Sequence, residues 1–323
     1  MHSTFIRSII AAVAMASASA ALAQNYPTKP IRIVVVSTPG GSVDTMARTV
    51  GPKLAERWGQ QVLVDNRPGA GGAIAAEIVA KSAPDGYTLI MGTVASFATN
   101  VSLRKSLPYD PVKDFAPITL VATQNLMLLI HPSIPARSVK ELVALAKKQP
   151  GKLSFASAGN GTGGHLSGDL FKMLARIDML HVPYKGVQPA LVDVVGGQVS
   201  MTFASIISAM PQVTGRRLIP LAVTGAHRSP AAKDLPTMIE AGVSGYESAT
   251  WYGLLAPAGT PTDIVNKLNA EVVAALKSPD MFDRLSKEGA DPVGNSPAEF
   301  ARHIQVEIEK WRKVIKAAGI QPS

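Results

Sequence analysis

Apolar positions along the chain alternate between short β-branched runs and stripes spaced at i, i+4, i+7 and i+8. This alternation argues for repeating strand–helix units. The plainest unit covers residues 153–174. Leu153 and Phe155 open a strand; Ser157-Ala158-Gly159-Asn160-Gly161-Thr162-Gly163-Gly164-His165 follows as a small polar loop; Leu166, Leu170, Met173 and Leu174 mark one face of a helix. An earlier copy has a strand at 31–36, the loop Ser37-Thr38-Pro39-Gly40-Gly41-Ser42-Val43-Asp44, and a helix face at Met46, Val50 and Leu54. In both, a glycine-rich loop delivers the chain to a helix N-terminus. The N–H groups there have no intrahelical partner and carry the positive end of the helix dipole. Glycine lets a ligand approach them closely, and carboxylate suits them as well as phosphate. Two such ends on separate units predict two jaws around an anion, with Thr38, Gly40, Gly41 and Asp44 on one and Ser157, Asn160, Gly161, Thr162 and His165 on the other.

Further strands are expected at 61–65, 87–91, 179–184, 199–205, 218–224 and 250–256. Ligands in open α/β sheets bind at the C-terminal ends of strands. Thr93, after the third strand, and Phe203 and Ser205, at the end of 199–205, therefore join the candidate ligand-binding residues. The apolar run 118–130, interrupted by Gln124-Asn125, reads as a strand leaving one lobe and entering another. Residues 218–224 read as a strand suited to crossing back. Ser138 with Glu141 forms a capping box, as does Ser296 with Glu299; Thr260 is expected at the N-cap of a further helix, with Pro261 at its first position. From 297 onward, Phe300, Ile304, Ile308, Trp311 and Ile315 make one stripe stopped at Gly319, read as a structural brace. The architecture expected is α/β with two parallel-type sheets, helices on both faces and a cleft between two lobes. Lobe one comprises residues 24–124 and 223–323, and lobe two residues 125–222.

Residues 1–23 stand apart. Arg7 precedes an apolar stretch at 9–21 too short to span a bilayer, and Ala21-Leu22-Ala23 gives a small-x-small cleavage pattern. This reads as a cleavable secretory signal peptide, with cleavage after Ala23 or at Ala18-Ser19-Ala20, placing the protein in the periplasm. About 300 residues remain, more than one core usually holds. The chain has no cysteine, so disulfides, thiolate catalysis and cysteine metal sites are excluded. The net charge of +9 is scattered, which argues against a nucleic-acid surface and for mild attraction of small anions.

Catalytic signals are missing. Gly159-x-Gly161-x-x-Gly164 matches the dinucleotide fingerprint, but the strand after it ends in Lys185 where an acid should hold the ribose, and Asp178 lies before that strand. No Gly-x-Ser-x-Gly elbow, His-Glu-x-x-His pair or phosphate-binding Gly-Lys-Ser loop occurs. His303 and Glu307, four apart, read as a solvated helix face. No catalytic residue, metal or cofactor is expected. Asp44 fits a bracing role at its helix N-terminus better than direct ligand contact. His165 has two readings: simply exposed or packed against the loop, or set on the rim of the site donating a hydrogen bond.

The chain resembles the extracytoplasmic solute receptors of tripartite tricarboxylate transporters, the Bug receptors. The resemblance is carried by Tyr26-Pro27-Thr28-Lys29-Pro30-Ile31, Gly40-Gly41-x-x-Asp44-x-x-Ala47-Arg48, Asp65-Asn66-Arg67-Pro68-Gly69-Ala70-Gly71-Gly72, Pro84-Asp85-Gly86-Tyr87, Ser157-Ala158-Gly159-x-Gly161-Thr162, His181-Val182-Pro183-Tyr184-Lys185-Gly186 and Ala256-Pro257-Ala258-Gly259-Thr260-Pro261. It implies a two-lobed, type II-like periplasmic-binding-protein fold that closes over an organic acid, with membrane transporter subunits as partners and a monomeric receptor. It also implies that backbone N–H groups of the two loops hold the carboxylate. Ser200 and Ala204 stand where the family often carries acids, which disfavours amino-acid ligands and suits a plain carboxylate beside Phe203. Two other outputs stay open: sensing for a membrane signalling partner, and an exported hydrolase.

Overall fold

The computed structural model describes residues 26–184, 187–287, 289–317, 319–320 and 322. The expected signal segment and the pair Lys185 and Gly186 lie outside these residues. In chain order the elements are β1 (Ile31–Val35), α1 (Ser42–Trp58), β2 (Val62–Asn66), α2 (Ala73–Ala80), β3 (Thr88–Thr93), a π-helical turn (Ala95–Thr99), α3 (Asn100–Leu103), β4 (Phe115–Ile130), α4 (Val139–Lys148), β5 (Ser154–Ser157), α5 (Gly163–Ala175), β6 (Leu180–Pro183), α6 (Val187–Val195), β7 (Met201–Ser205), α7 (Ile206–Thr214), β8 (Ile219–Val223), β9 (Ala249–Pro257), α8 (Thr262–Leu276), α9 (Pro279–Lys287), β10 (Ala290–Pro292) and α10 (Pro297–Ala317).

The strands form one continuous sheet in the order β2-β1-β3-β9-β4-β7-β5-β6, with β8 and β10 also pairing with β4. β4 is the organising element. Residues 115–125 pair with β9 and residues 126–130 with β7 and β8, so one 16-residue strand runs through both halves of the sheet. Its near-continuous apolar sequence suits burial on both faces. The sheet is mixed rather than parallel throughout. β1–β3 and β5–β7 are parallel, but β4 and β9 run against their neighbours, because each crosses between βα units instead of belonging to one. β8 does not cross back; it pairs with residues 127–130 of β4. Beyond Thr224 the chain stays with that half, Val223 exchanging backbone hydrogen bonds with Pro236 and Met238. It returns at Ser248, whose N–H donates to Thr224 O one residue before β9; Thr224 N–H in turn donates to Leu126 O.

One apolar cluster joins the two halves: Val34, Phe97 and Leu120 belong to it, as do Phe155, Leu170 and Phe203, and α10 contributes Phe300, Ile304, Trp311 and Ile315. The predicted stripe of α10 is buried throughout. Glu307 departs from the expected solvated face. It is 4 % exposed, and its Oε2 accepts the indole N–H of Trp251 at 3.1 Å and of Trp311 at 2.9 Å. At 304 + 3 it lies on the apolar stripe itself, so the helical period buries it. The helix after Thr260 begins one position later than expected, with Pro261 at the N-cap, because Thr260 Oγ1 donates to Pro257 O instead.

Candidate functional site

Each predicted jaw is a strand–loop–helix joint whose helix lacks a side-chain cap. Gly40, at φ +78°, turns the first loop into α1. The N-cap of α1 is Gly41, which has no side chain to satisfy the first N–H groups. Asp44 is buried and fully engaged: it accepts from Gly40 N–H at 2.9 Å, from Arg48 Nε at 3.0 Å and from Asn66 Nδ2 at 2.9 Å. Desolvation pushes its carboxyl up, but these hydrogen bonds outweigh it and hold the group below its ordinary value. Asp44 therefore fastens the loop to the helix and to β2.

In the second jaw the N-cap residue Thr162 turns its hydroxyl backwards, donating to Gly159 O at 2.7 Å, and leaves the first N–H groups of α5 uncapped. Gly164 lies against β7; a Cβ there would sit 2.6 Å from Phe203 O. Ser157 Oγ accepts from Gly159 N–H at 3.1 Å and lies 2.7 Å from His181 Nε2. His165 is buried, not on a rim, and its Nδ1 accepts Gly161 N–H at 2.9 Å. Ser157 and His181 are not an open nucleophile and base, since Ser157 is 1 % exposed and its hydroxyl is committed to the loop.

The jaws meet over a cavity of about 380 Å³. The first turns of four helices border it: Ser42 and Thr45 of α1, Gly163 and Gly164 of α5, Val187 and Ala190 of α6, and Ser208 of α7. Its floor comes from Gln124 and Leu126 of β4, Thr250 and Tyr252 of β9, and residues 202–205 of β7. Tyr252 donates its hydroxyl to Gln124 Oε1 at 2.5 Å. Among the described residues no charged side chain lines this cavity. Of the four helices, α1 and α5 lack a side-chain cap, while Ser205 Oγ caps Ser208 N–H of α7. The neutral, hydroxyl-rich wall therefore favours an anion through helix dipoles and the free N–H groups of α1 and α5 rather than through a countercharge.

Gly40, Thr162, Phe203 and Ser205 of the candidate set line this cavity. Asn160, Gly161, Thr162 and His165 line a second one of about 490 Å³ behind the loop. Thr38, Gly41, Asp44, Thr93 and Ser157 line neither. Thr93 is buried, its N–H given to Ser96 Oγ. Sequence reasoning missed Gln124, Thr250 and Tyr252. Only Gln124 left a signal there, as a polar residue inside an otherwise apolar strand. Of two larger grooves, one of about 920 Å³ runs between α7 with residues 230–233 and α9, and one of about 690 Å³ lies beside α10. Among the described residues no cluster of His, Cys, Asp or Glu could hold a metal ion. No helix among them is long and apolar enough to cross a membrane.

Residues 46–320 match the sequence profile of the Tripartite tricarboxylate transporter family receptor. Protein BugT of Bordetella pertussis is 35 % identical over 298 residues, covering 92 % of this chain and 91 % of its own. The R. palustris protein Rpa4515, solved with adipate, is 42 % identical and superposes with a TM-score of 0.81 over 92 % of this chain and 100 % of that one. MatC from Rhodopseudomonas palustris, solved with bound malate, is 35 % identical with a TM-score of 0.75, covering 90 % of this chain and 100 % of that one. The fold, the paired loops and the sequence match converge: this chain belongs to the receptor family of tripartite tricarboxylate transporters.

Proposed function

We propose that this protein is a periplasmic receptor that captures a small mono-, di- or tricarboxylate between two lobes and delivers it to the membrane subunits of a tripartite tricarboxylate transporter. The observation that carries this is the neutral cavity bordered by four helix N-termini. A carboxylate placed there gains charge-assisted hydrogen bonds from uncapped N–H groups, each worth about 1.5–3 kcal/mol. A neutral ester of the same shape gains much less. The chemistry is capture and release, with no catalytic step. The lobes are assigned to residues 24–124 with 223–323, and to 125–222; residues 1–23 are removed on export, and the receptor works as a monomer. The first-turn N–H groups of α1 and α5 hold the carboxylate, and Phe203 packs on the ligand's carbon skeleton. The bound carboxylates of the two R. palustris relatives support the same class of ligand.

A thermal-shift and calorimetry panel of adipate, malate, succinate, citrate and dimethyl adipate tests this. A true ligand stabilises the protein by about 2.7 kcal/mol at a hundredfold excess over Kd. The diester should not. Failure of every acid to shift the melt, or equal shifts from acid and ester, would sink the reading.

A further inference from the structure

The loop at 157–162 is a thin wall between two cavities. Ala158 and Thr162 line the ligand-sized one, while Asn160, Gly161 and Thr162 line the one behind it. Two histidines hold the wall from the rear. His165 Nδ1 accepts Gly161 N–H at 2.9 Å, and His181 Nε2 lies 2.7 Å from Ser157 Oγ, which in turn accepts Gly159 N–H at 3.1 Å. The imidazoles stack with centroids 3.9 Å apart, and Phe155 stacks 4.8 Å from His181 on the strand side. His165 sits in the first turn of α5, the helix the loop opens, and His181 on β6, the strand paired with β5.

We infer that His165 and His181 are positioning residues that keep the loop in its anion-accepting shape only while both rings are uncharged, so that acid loosens the loop and releases the carboxylate. The inference rests on the receptor reading above and deepens it. The acceptor role of His165 Nδ1 requires that this nitrogen carry no proton. A second proton on the ring converts it to a donor facing a donor, Gly161 N–H, which is repulsive. Charging both rings at a 3.9 Å stacking distance sets like charges against each other. The groups facing the pair are Asp169 and Lys172 of α5 and, across the rear cavity, Arg104 after α3. Asp169 Oδ2 lies 3.0 Å from His165 Nε2 and favours a proton on that nitrogen, which leaves Nδ1 free to accept. Lys172 works against any further charge on His181. Burial first, and the neighbouring His165 second, push His181 down to about 4.

Two measurements test this. In the ligand-free mature protein, NMR reads the ring protonation of both histidines and the exchange protection of the Gly161 amide from about pH 7.5 down through the value of about 4 to which His181 is pushed. Calorimetry reads adipate affinity over the same range. Gly161 protection and adipate affinity should fall together, affinity by about tenfold or more, the size expected for one lost buried hydrogen bond. His165→Asn keeps an acceptor near the place of Nδ1 and cannot be protonated there, so it should hold its adipate affinity to lower pH than the wild type and lose it only as His181 charges. His165→Phe keeps the stack and loses the acceptor, so it should bind weakly throughout. An unprotected Gly161 amide at pH 7.5, or wild-type adipate affinity in a folded His165→Phe protein, would overturn the inference. A wild-type protein that binds no carboxylate at any pH would instead sink the receptor reading, and the Gly161 exchange data on the ligand-free protein would still decide the role of the pair.

Discussion

At the scale of single residues, the site uses charge to shape the loops and withholds it from the cavity. Asp44 shows the first half of this. Its carboxylate takes three hydrogen bonds at 3 % exposure, so Asp44→Asn should cost about 1–3 kcal/mol of stability near neutral pH by removing the charge that Arg48 and Gly40 N–H address. Because its pKa is lowered on folding, that stabilisation is complete above the ordinary carboxyl value of 3.8 and fades as pH falls through the lower folded value. Urea melts of the two proteins should therefore differ at pH 7 and converge in strong acid; parallel curves at all pH would refute the bracing role. The second half of the rule concerns ligand choice. Ala204 lines the cavity, and Ser200 is turned away into hydrogen bonds with Ser154. Asp44 is committed to its loop. A ligand ammonium thus finds no carboxylate among the described lining residues, and burying one unpaired is costly. Succinate should bind at least about tenfold tighter than aspartate, and Ala204→Asp should narrow or reverse the preference. Competition calorimetry in which aspartate or glutamate wins against the wild type would overturn this. The loop residues were legible in sequence because glycine, serine and threonine before a periodic stripe specify a turn and a helix start locally. Thr250 and Tyr252 were not, because their place in the cavity depends on the register of β9 against β4, set more than a hundred residues away.

At the scale of elements, α10 is the one whose chemistry the apolar stripe understated. Its brace role was readable from Phe300, Ile304, Ile308, Trp311 and Ile315. Glu307 was not, because a charged residue is taken as solvent-facing unless its exact place on the stripe is followed. Its Oε2 serves two buried indole N–H groups, one from β9 and one from its own helix, and its Oε1 is paired with Lys310. That contact pins α10 to the centre of the sheet. Glu307→Ala leaves both indoles without their acceptor and opens a void, so it should destabilise by about 2–5 kcal/mol. Glu307→Gln, which keeps one acceptor oxygen, should lose less. Chemical denaturation with tryptophan fluorescence checks both; an alanine variant as stable as wild type would mean the indoles find other acceptors. The strand–helix alternation was legible over most of the chain, whereas strand direction was not. Hydrophobic period fixes the face of a strand, and only its partners fix whether it runs parallel or antiparallel.

At the scale of the whole molecule, the crossings decide how the jaws can move. The backbone passes between the halves of the sheet at the Asn125–Leu126 step of β4 and at the Ser248–Ala249 step into β9, and Thr224, hydrogen-bonded both to Leu126 and to Ser248, ties the two together. These two passages are adjacent and form a hinge, beside which the shared apolar cluster joins the halves. α1 lies on one side of it, and α5, α6 and α7 lie on the other. An anion between them is attracted to both sets of N-termini, and that differential affinity for the closed arrangement is what can shift the population toward it. α10 limits the travel, since its apolar face packs into the cluster shared by both halves. The expected motion is a modest rotation of one half about the 125–126 and 248–249 passages. Small-angle scattering should show a smaller radius of gyration with saturating adipate than without. Hydrogen exchange should slow at the first turns of α1 and α5 together, because each end gains its anion partner only in the closed form. Protection confined to one of these turns, with no change in radius, would place the carboxylate on a single preformed half and remove closure from the mechanism.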